Sequence, residues 1–565
     1  MASDTATYTT SSGRIRVRRG AFLLIGAGFF FVYSWLSFAT YPNTQEVWRF
    51  NSPDATANFV FARQVALEHT LFVREPLNPA YADVLHPRSV NVLGGTLVPA
   101  GFLGLPVLYG ALAKVFGVNA IPYFTSAFSV SAIFAFYGFV RRLFSERVAF
   151  VSAMLLFMHP VFWYYTSRGL FPNALFVDLC IIGLYFLGSM SPSWKRDGRL
   201  SRSVLLCALF AGAGFGMALL VRPAEAFWIF ALLLTLWAIY RRIMPLKLVG
   251  IFAGILGCFL FLLLALHAAV YGSPLATGYQ QLTQAATQDI TRRASFGQYL
   301  LPFGVDLEMF LVRIFNFVAQ FFWWLTVPLI LGLISFIARF KEKPLKQKVF
   351  FLYIAVLTVY LGLYYSSLDV ADTISEEKVT MGTSYLRYWL PFLIAGIPFI
   401  VLGLLFILRA LRAYGKKFQF FGGAVTVFFF MLLAVQIVLL QGNESLAAVK
   451  TSIRSYQKTL AQVQEIVPKN ALMVTEYNDK IFFPEYRVIV PTERKKAFSQ
   501  VTRLLEDIPV WYYTLASPDD VAKNKLHLVA EEPLDLRYAT STAPGEYLYE
   551  VVPLDYATHN EQQGS

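Results

Sequence analysis

The sequence is short of cysteine, histidine and charge. Of 565 residues, three are cysteine, six are histidine and only 15% are charged, against roughly 25% charged in an average soluble domain. Cys180, Cys207 and Cys258 all lie in apolar runs, so they read as small core hydrophobes and the polar regions carry no disulfide framework. There is no HExxH and no pair of cysteines at ligand spacing, so no metal residues are assigned from a motif. Neither GxxxxGK[ST] nor GxGxxG occurs, so a P-loop motor and a Rossmann-type nucleotide site have no support. Acidic residues are scarce before residue 444, with 18 against 35 Lys and Arg, whereas residues 444–565 hold 17 against 13. The basic excess therefore belongs to the apolar part, where it orients a membrane protein, and does not advertise a nucleic-acid partner.

What the chain has in abundance is apolar and aromatic residues: 56% hydrophobic, with 53 Phe and 30 Tyr. This composition specifies a polytopic α-helical membrane protein. Eleven runs are long enough to span a bilayer: 20–40, 118–140, 148–166, 173–189, 203–221, 226–240, 248–270, 319–338, 349–366, 388–408 and 419–440. The apolar stretch 94–117 is rich in glycine and proline, and counting it as a span breaks the alternation of basic loops. It is therefore assigned to a re-entrant or juxtamembrane segment. With that assignment the basic N-terminus joins RRLFSER (141–147), WKRDGRLSR (194–202), RRIMPLK (241–247), ARFKEKPLKQK (338–348) and RALRAYGKK (409–417) on one side. The positive-inside rule makes that side cytoplasmic, in an integral multi-pass protein of the plasma membrane.

The sequence divides into a disordered basic cytoplasmic N-terminus at 1–19, a transmembrane module at 20–440 with its first outside loop at 41–93, and a small outside α/β domain at 441–565. In this last part SLAAVKTSIRSYQKTLAQVQEIV (445–467) and VTRLLEDI (501–508) are expected helices, and the last ten residues look frayed. ALMVTEY (471–477), KIFFP (480–484), RVIV (487–490), VWYYTL (510–515), LHLVAEE (526–532) and YLYEVVP (547–553) are expected strands.

Chemistry concentrates in the first outside loop. Asp54, in SPDATAN, can accept a proton from a hydroxyl or help hold a cation; the plainer reading is a solvated loop acid. Glu68, Glu75 and Asp83 share the loop, and an interfacial amphipathic helix over FVFARQVALEH explains the first two. Asp178 lies one turn inside a span and is read as facing the protein interior near the outer face, either as a catalytic acid or paired with Arg168 or a tyrosine hydroxyl. Arg222, beside Glu225 in LLVRPAEAFW, and Arg387, followed by Tyr388 in SYLRYWLPF, are outside cations with the planar fork that suits phosphate. Snorkelling and an interfacial aromatic belt are their structural alternatives. His86 and Arg88, in VLHPRSVN, stand where they could touch a lipid phosphate or a sugar. His159 and His267 read as satisfied polar groups at helix ends.

Taken in order, SPDATANFVFARQVALEHTLF, HPRSVN, FYGFVRRLFSERVAFVSAMLLFMHPVFWYY, SRGLFPNALFVDLCIIGLYFL, GFGMALLVRPAEAFWIFALLL, YGSPLATGY and TSYLRYWLPF resemble the lipid-linked-sugar glycosyltransferases of the GT-C superfamily, the group that includes protein O-mannosyltransferases and aminoarabinose transferases. The likeness covers about residues 15–410. It implies a polyprenyl-phosphate sugar donor and a lipid, glycan or protein acceptor. It also implies an inverting transfer at the outer membrane face, with Asp54 as general base and Arg222 and Arg387 on the departing phosphate. Many members carry two adjacent acids in the first loop. Here Ala55 follows Asp54, which leaves a divalent cation as an option rather than an implied cofactor. The rival is a polytopic transporter or lipid flippase, which favours broken or polar helices at the midplane in paired halves. A scaffold that displays its tail to partners is a third reading.

Overall fold

The computed structural model describes residues 9–40, 48–197, 201–241, 245–279, 301–368, 379–491, 494–524 and 534–554. The protein is mainly helical. Nine helices are long and apolar enough to cross a membrane, and eleven if two bent helix pairs each count as one span. The long apolar runs fold as helices because no water is available in a bilayer to satisfy open backbone groups.

The intact spans are Gly20–Phe38, Val118–Leu143, Pro172–Met190, Arg202–Val221, Pro223–Tyr240, Leu246–Tyr271, Leu345–Ser366, Leu390–Arg412 and Lys416–Leu440. The expected run at 148–166 is a broken span, Glu146–Phe157 and Pro160–Arg168, bent by 49°. Pro160 opens the second piece; it cannot donate to the ladder, and its ring excludes the preceding turn. The run at 319–338 is also broken: Leu307–Gln320 meets Trp323–Ile337 at 100°. Proline does not cause this bend, since the break at residues 321–322 is Phe-Phe and follows a π-helical turn at Phe315–Gln320.

The stretch 94–117 is not one segment. Thr96–Pro99 is a strand and only Gly104–Phe116 is an apolar helix, too short to span. Gly94 and Gly95, both at positive φ, form the turn that pairs Thr96–Pro99 with Val90–Leu93. The first helix begins at Thr9, inside the stretch read from sequence as disordered.

By contact the chain forms two compact units, each assembled from separated segments. One comprises Met1–Phe38, Pro122–Leu262 and Thr291–Ala448; the other comprises Ala39–Ile121, Leu263–Ile290 and Val449–Ser565. In the first unit, Trp323–Ile337 and Leu390–Arg412 cross backbone to backbone. A Cβ on Gly332 would overlap the Phe399 carbonyl, and one on Gly403 would overlap that of Pro328. Small residues allow this approach, and in a membrane close packing takes the place of the hydrophobic drive.

In the second unit the first loop and the tail share one core. Phe61, Leu97 and Val98 from the loop cluster with Val463, Met473, Phe482 and Tyr513 from the tail. The loop contributes the helix Pro53–Glu68 and a three-stranded antiparallel sheet. That helix is buried without interruption from Ala55 to Ala62, so it is a core helix and not the interfacial one expected from FVFARQVALEH. Glu68 at its end is exposed.

The tail has a five-stranded sheet ordered Arg487–Ile489, Leu472–Thr475, Val510–Thr514, Glu546–Pro553, Leu534–Ala543. The first three strands are parallel and the last two pairings are antiparallel. The helix Leu446–Ile466 forms where the pattern placed it, whereas the one expected at 501–508 begins earlier and ends sooner, as Arg494–Leu504. KIFFP is the exception: Asp479–Phe482 is a helical turn, because it lets Ile481 and Phe482 both point into the core, which alternating strand residues cannot do. The strand Leu534–Ala543 was not foreseen; LHLVAEE and the last ten residues lie outside the described residues.

Polar ties reinforce this shared core. Asp479, 1% exposed, pairs with Arg88. Arg487 pairs with Glu75 at 3.0 Å, Arg49 with Glu485, and the Tyr81 hydroxyl donates to Asp507. Arg88 is partly exposed, so losing Asp479 strands no buried charge, but it removes the acceptor of the Arg88 backbone and side-chain hydrogen bonds. Asp479→Ala is therefore expected to destabilise the purified full-length protein by about 1.5–3 kcal/mol, the worth of a hydrogen bond to a charged group. Arg537→Ala, which breaks the exposed Arg537–Glu550 pair, should stay within about 1 kcal/mol. Thermal and denaturant unfolding of the two variants reads the contrast.

Candidate active site

Asp54 sits in the first turn of the helix Pro53–Glu68. Pro53 supplies a preset helical φ at the first position and Ser52 is extended. A carboxylate in the first turn faces the positive end of the helix dipole. Asp54 is half-buried, and its Oδ1 accepts a hydrogen bond from Ser89 Oγ at 2.5 Å. The expected loop acid is thus held by a residue 35 positions away.

Ser89 is held in turn. Its φ of 60° lies in the left-handed region, a strained setting for a residue with a Cβ. The neighbouring Arg88 fixes it there. The Arg88 backbone N–H donates to Asp479 Oδ2 at 2.8 Å, while Nε and Nη2 donate to Oδ1 at 3.0 and 2.5 Å. Nη2 also donates to the Tyr477 carbonyl at 2.5 Å. Arg88 was expected to touch a phosphate or sugar. The structure spends its guanidinium on Asp479, so it braces the loop. His86 is half-buried, with Nδ1 3.0 Å from the Pro87 carbonyl.

In the membrane unit Asp178 is fully buried. Its Oδ2 accepts from Ser129 Oγ at 2.6 Å, and that hydroxyl lies 3.1 Å from Thr166 Oγ1. The partners expected from sequence were Arg168 or a tyrosine. The observed partner is the Ser129 hydroxyl, which in turn contacts Thr166, so three helices meet at Ser129 and the Asp178 Oδ1 is buried without a partner among the described residues.

Arg222 caps the helix Arg202–Val221, at the turn leading into Pro223–Glu225. It is 5% exposed. Nη2 donates to Glu225 Oε1 at 2.8 Å and to the Tyr365 hydroxyl at 2.9 Å; the hydroxyl donates to the same Oε1 at 2.6 Å. Trp228 Nε1 donates to Glu225 Oε2 at 2.6 Å. The pairing of Arg222 with Glu225 was legible as adjacent residues; Tyr365 and Trp228 were not.

Arg387 and Tyr388 belong to the short helix Ser384–Tyr388. Tyr388 stacks on Tyr365 with centroids 4.4 Å apart. The Arg222 guanidinium lies 5.4 Å from the Tyr388 centroid and that of Arg387 lies 5.3 Å from it. Arg387 also lies 5.1 Å from the Phe171 ring, and Arg168 lies 5.2 Å from the same ring. Three arginines from distant loops are thus strung on two aromatic rings, a cation–π arrangement that concentrates charge. Arg168 entered the sequence reading only as a partner for Asp178. Its signal was an arginine beside a Phe-Pro turn on the cation-poor side of the membrane. By alternation of the spans, all three arginines lie at the face opposite the basic loops.

An apolar cavity of about 150 Å³ opens among the spans, lined by Phe176, Cys180, Trp228, Leu232, Tyr353 and Pro391 among others. Trp228 belongs to both the cavity and the Arg222 cluster. Among the described residues, no group of three or more His, Cys, Asp or Glu side chains is gathered as a metal site.

No protein-family model matches the chain, and no curated protein does. Solved structures do. ArnT from Cupriavidus metallidurans bound to undecaprenyl phosphate aligns over 96% of this chain and 98% of its own, with a TM-score of 0.51 and 12% identity. The Archaeoglobus fulgidus oligosaccharyltransferase in complex with Zn and sulfate aligns over 94% of this chain and 72% of its own, with a TM-score of 0.52 and 12% identity. Its apo form gives 0.50 and 11%, over 95% and 74%. At these identities the common property is the architecture: the chain shares its fold with ArnT and the archaeal oligosaccharyltransferase.

Proposed function

We propose that the protein is a membrane glycosyltransferase that moves a sugar from a polyprenyl-phosphate donor to an acceptor hydroxyl, with inversion. The observation that carries the reading is the arginine–aromatic cluster of Arg168, Arg222 and Arg387 over Phe171 and Tyr388. Planar guanidiniums are suited to a phosphate whose charge grows as it leaves. The adjoining apolar cavity suits a lipid chain. The fold likeness to ArnT bound to undecaprenyl phosphate supports the same donor class.

In the proposed reaction Asp54 takes the proton of the acceptor hydroxyl while that oxygen attacks the anomeric carbon. The bond from the anomeric carbon to phosphate breaks, and the lipid phosphate departs with the electron pair toward the arginines. The Ser89 hydrogen bond fixes the rotamer of Asp54. Tyr388 and Glu225 hold the arginines, while Arg88 and His86 hold the loop. Asp178 acts as a helix tie. With the basic loops cytoplasmic, the transfer takes place at the outer face of the plasma membrane and the C-terminal region lies outside. A divalent cation beside Asp54 is tested directly by measuring transfer with and without a chelator.

The direct test is to incubate purified protein with polyprenyl-phosphate sugars and follow release of the lipid phosphate. A transporter or flippase would move the lipid without cleaving it. Asp54→Asn is expected to lower turnover by about 10²–10⁴-fold with unchanged melting behaviour; wild-type turnover in that variant would remove Asp54 as the base. Arg387→Gln is expected to raise the donor KM by roughly tenfold or more, the loss of one charge-assisted hydrogen bond, and to leave the acceptor KM unchanged. Steady-state kinetics varying each substrate separately measures both. Arg222 is less informative, because its removal also strands the buried Glu225.

A further inference from the structure

A second cavity, of about 350 Å³, lies in the membrane unit at the bend between Leu307–Gln320 and Trp323–Ile337. Its chemistry differs from that of the arginine cluster. Four carboxamides line it, those of Asn316, Gln320, Gln436 and Gln441, together with the indoles of Trp323 and Trp324. Among the described residues that line it, none is charged.

The carboxamides converge because of two π-helical turns, Phe315–Gln320 and Gln436–Leu440. Each turn closes with a wide backbone bond, Phe321 N–H to Asn316 O and Gln441 N–H to Gln436 O, both 2.9 Å. A π turn adds one residue to the helical turn and swings the flanking side chains out of their usual rows; such turns are frequent at functional sites. Here the residues at or beside the ends of the two turns are the four carboxamides. The Trp324 indole N–H is buried and has no hydrogen-bond partner among the described residues, while Gln320, Gln436 and Gln441 are exposed and Asn316 is half-buried. A buried donor without a partner is costly. That indole and four carboxamides around one cavity suit a ligand rich in hydroxyls.

We infer that this cavity is a binding site for an uncharged sugar ring. Carboxamides both donate and accept, which matches hydroxyl groups, and an indole face packs against the C–H face of a pyranose. The volume falls in the roughly 300–1,000 Å³ range of small-molecule sites. The site neighbours the arginine cluster through one contact, since Phe317 of the first π turn lies 5.8 Å from Tyr385 of the Ser384–Tyr388 helix. It goes beyond the proposed reaction and stands without it, because sugar binding here needs neither Asp54 nor the arginines.

The test is saturation-transfer NMR on the full-length protein in phosphatidylcholine nanodiscs, free of sugar-headed detergent. The probes are methyl α-mannoside, methyl β-glucoside and methyl β-galactoside, with inorganic phosphate as the charged comparison and a lipid-linked sugar as a separate arm. At least one glycoside is expected to give a signal, and the lipid-linked arm shows whether the lipid adds affinity. Trp323→Ala and Gln441→Leu, both at exposed positions, are expected to cut that signal at least threefold with unchanged melting temperature, as is Gln436→Leu. Asp54→Asn should leave it intact, which separates this site from the catalytic proposal. Three outcomes would overturn the inference: no glycoside signal, a signal that survives all three pocket variants, or a change of oligomeric state in Gln436→Leu showing that the carboxamides pair with a second copy.

Discussion

The pairing of Arg88 with the buried Asp479 governs the geometry of the loop that carries Asp54. Asp479 binds both the backbone and the side chain of Arg88, so it fixes a stretch of chain and not merely a charge. The next residue, Ser89, is thereby kept in a left-handed conformation it would not adopt unaided. From there its hydroxyl reaches Asp54. The tail is therefore no appended module: it contributes the anchor that sets the rotamer of a loop acid more than four hundred residues earlier.

The membrane part solves a different problem. A bilayer admits only satisfied backbone, so polar chemistry is confined to helix ends, breaks and fully paired knots. Arg222, Glu225, Tyr365 and Trp228 form such a knot, whereas Asp178 is tied to Ser129 through Oδ2 alone and its buried Oδ1 has no partner among the described residues. The useful polar groups gather where helices end or bend: the arginines at three loop turns, the carboxamides at two π turns. A charged cluster and an uncharged one in the same unit give it two distinct recognition surfaces, suited to a phosphate and to hydroxyl groups.

The limits of the sequence reading follow the same physics. Arg88 was chosen correctly as a residue that matters and wrongly as a free cation, because nothing in HPRSVN shows that Asp479 will meet it. Arg168 was passed over because its value lies in sharing Phe171 with Arg387, a contact between residues more than two hundred positions apart. KIFFP has strand composition, yet burial of two adjacent residues made it helical. The bend at residues 321–322 carries no proline or glycine, so local chemistry gave no warning of it.

Hydropathy alone determined the class of the protein, the place of its apolar spans and which loops are basic, because transfer of each segment into lipid depends on that segment's own composition; which spans break was decided by the fold. The amphipathic period of residues 446–466 and the alternation around 472 and 510 likewise settled their own elements. What the tertiary structure decided was partnership: which acid is buried, which arginine is neutralised, which carboxamides share one cavity. Such pairing energies arise between residues brought together by folding, and no spacing along the chain encodes them.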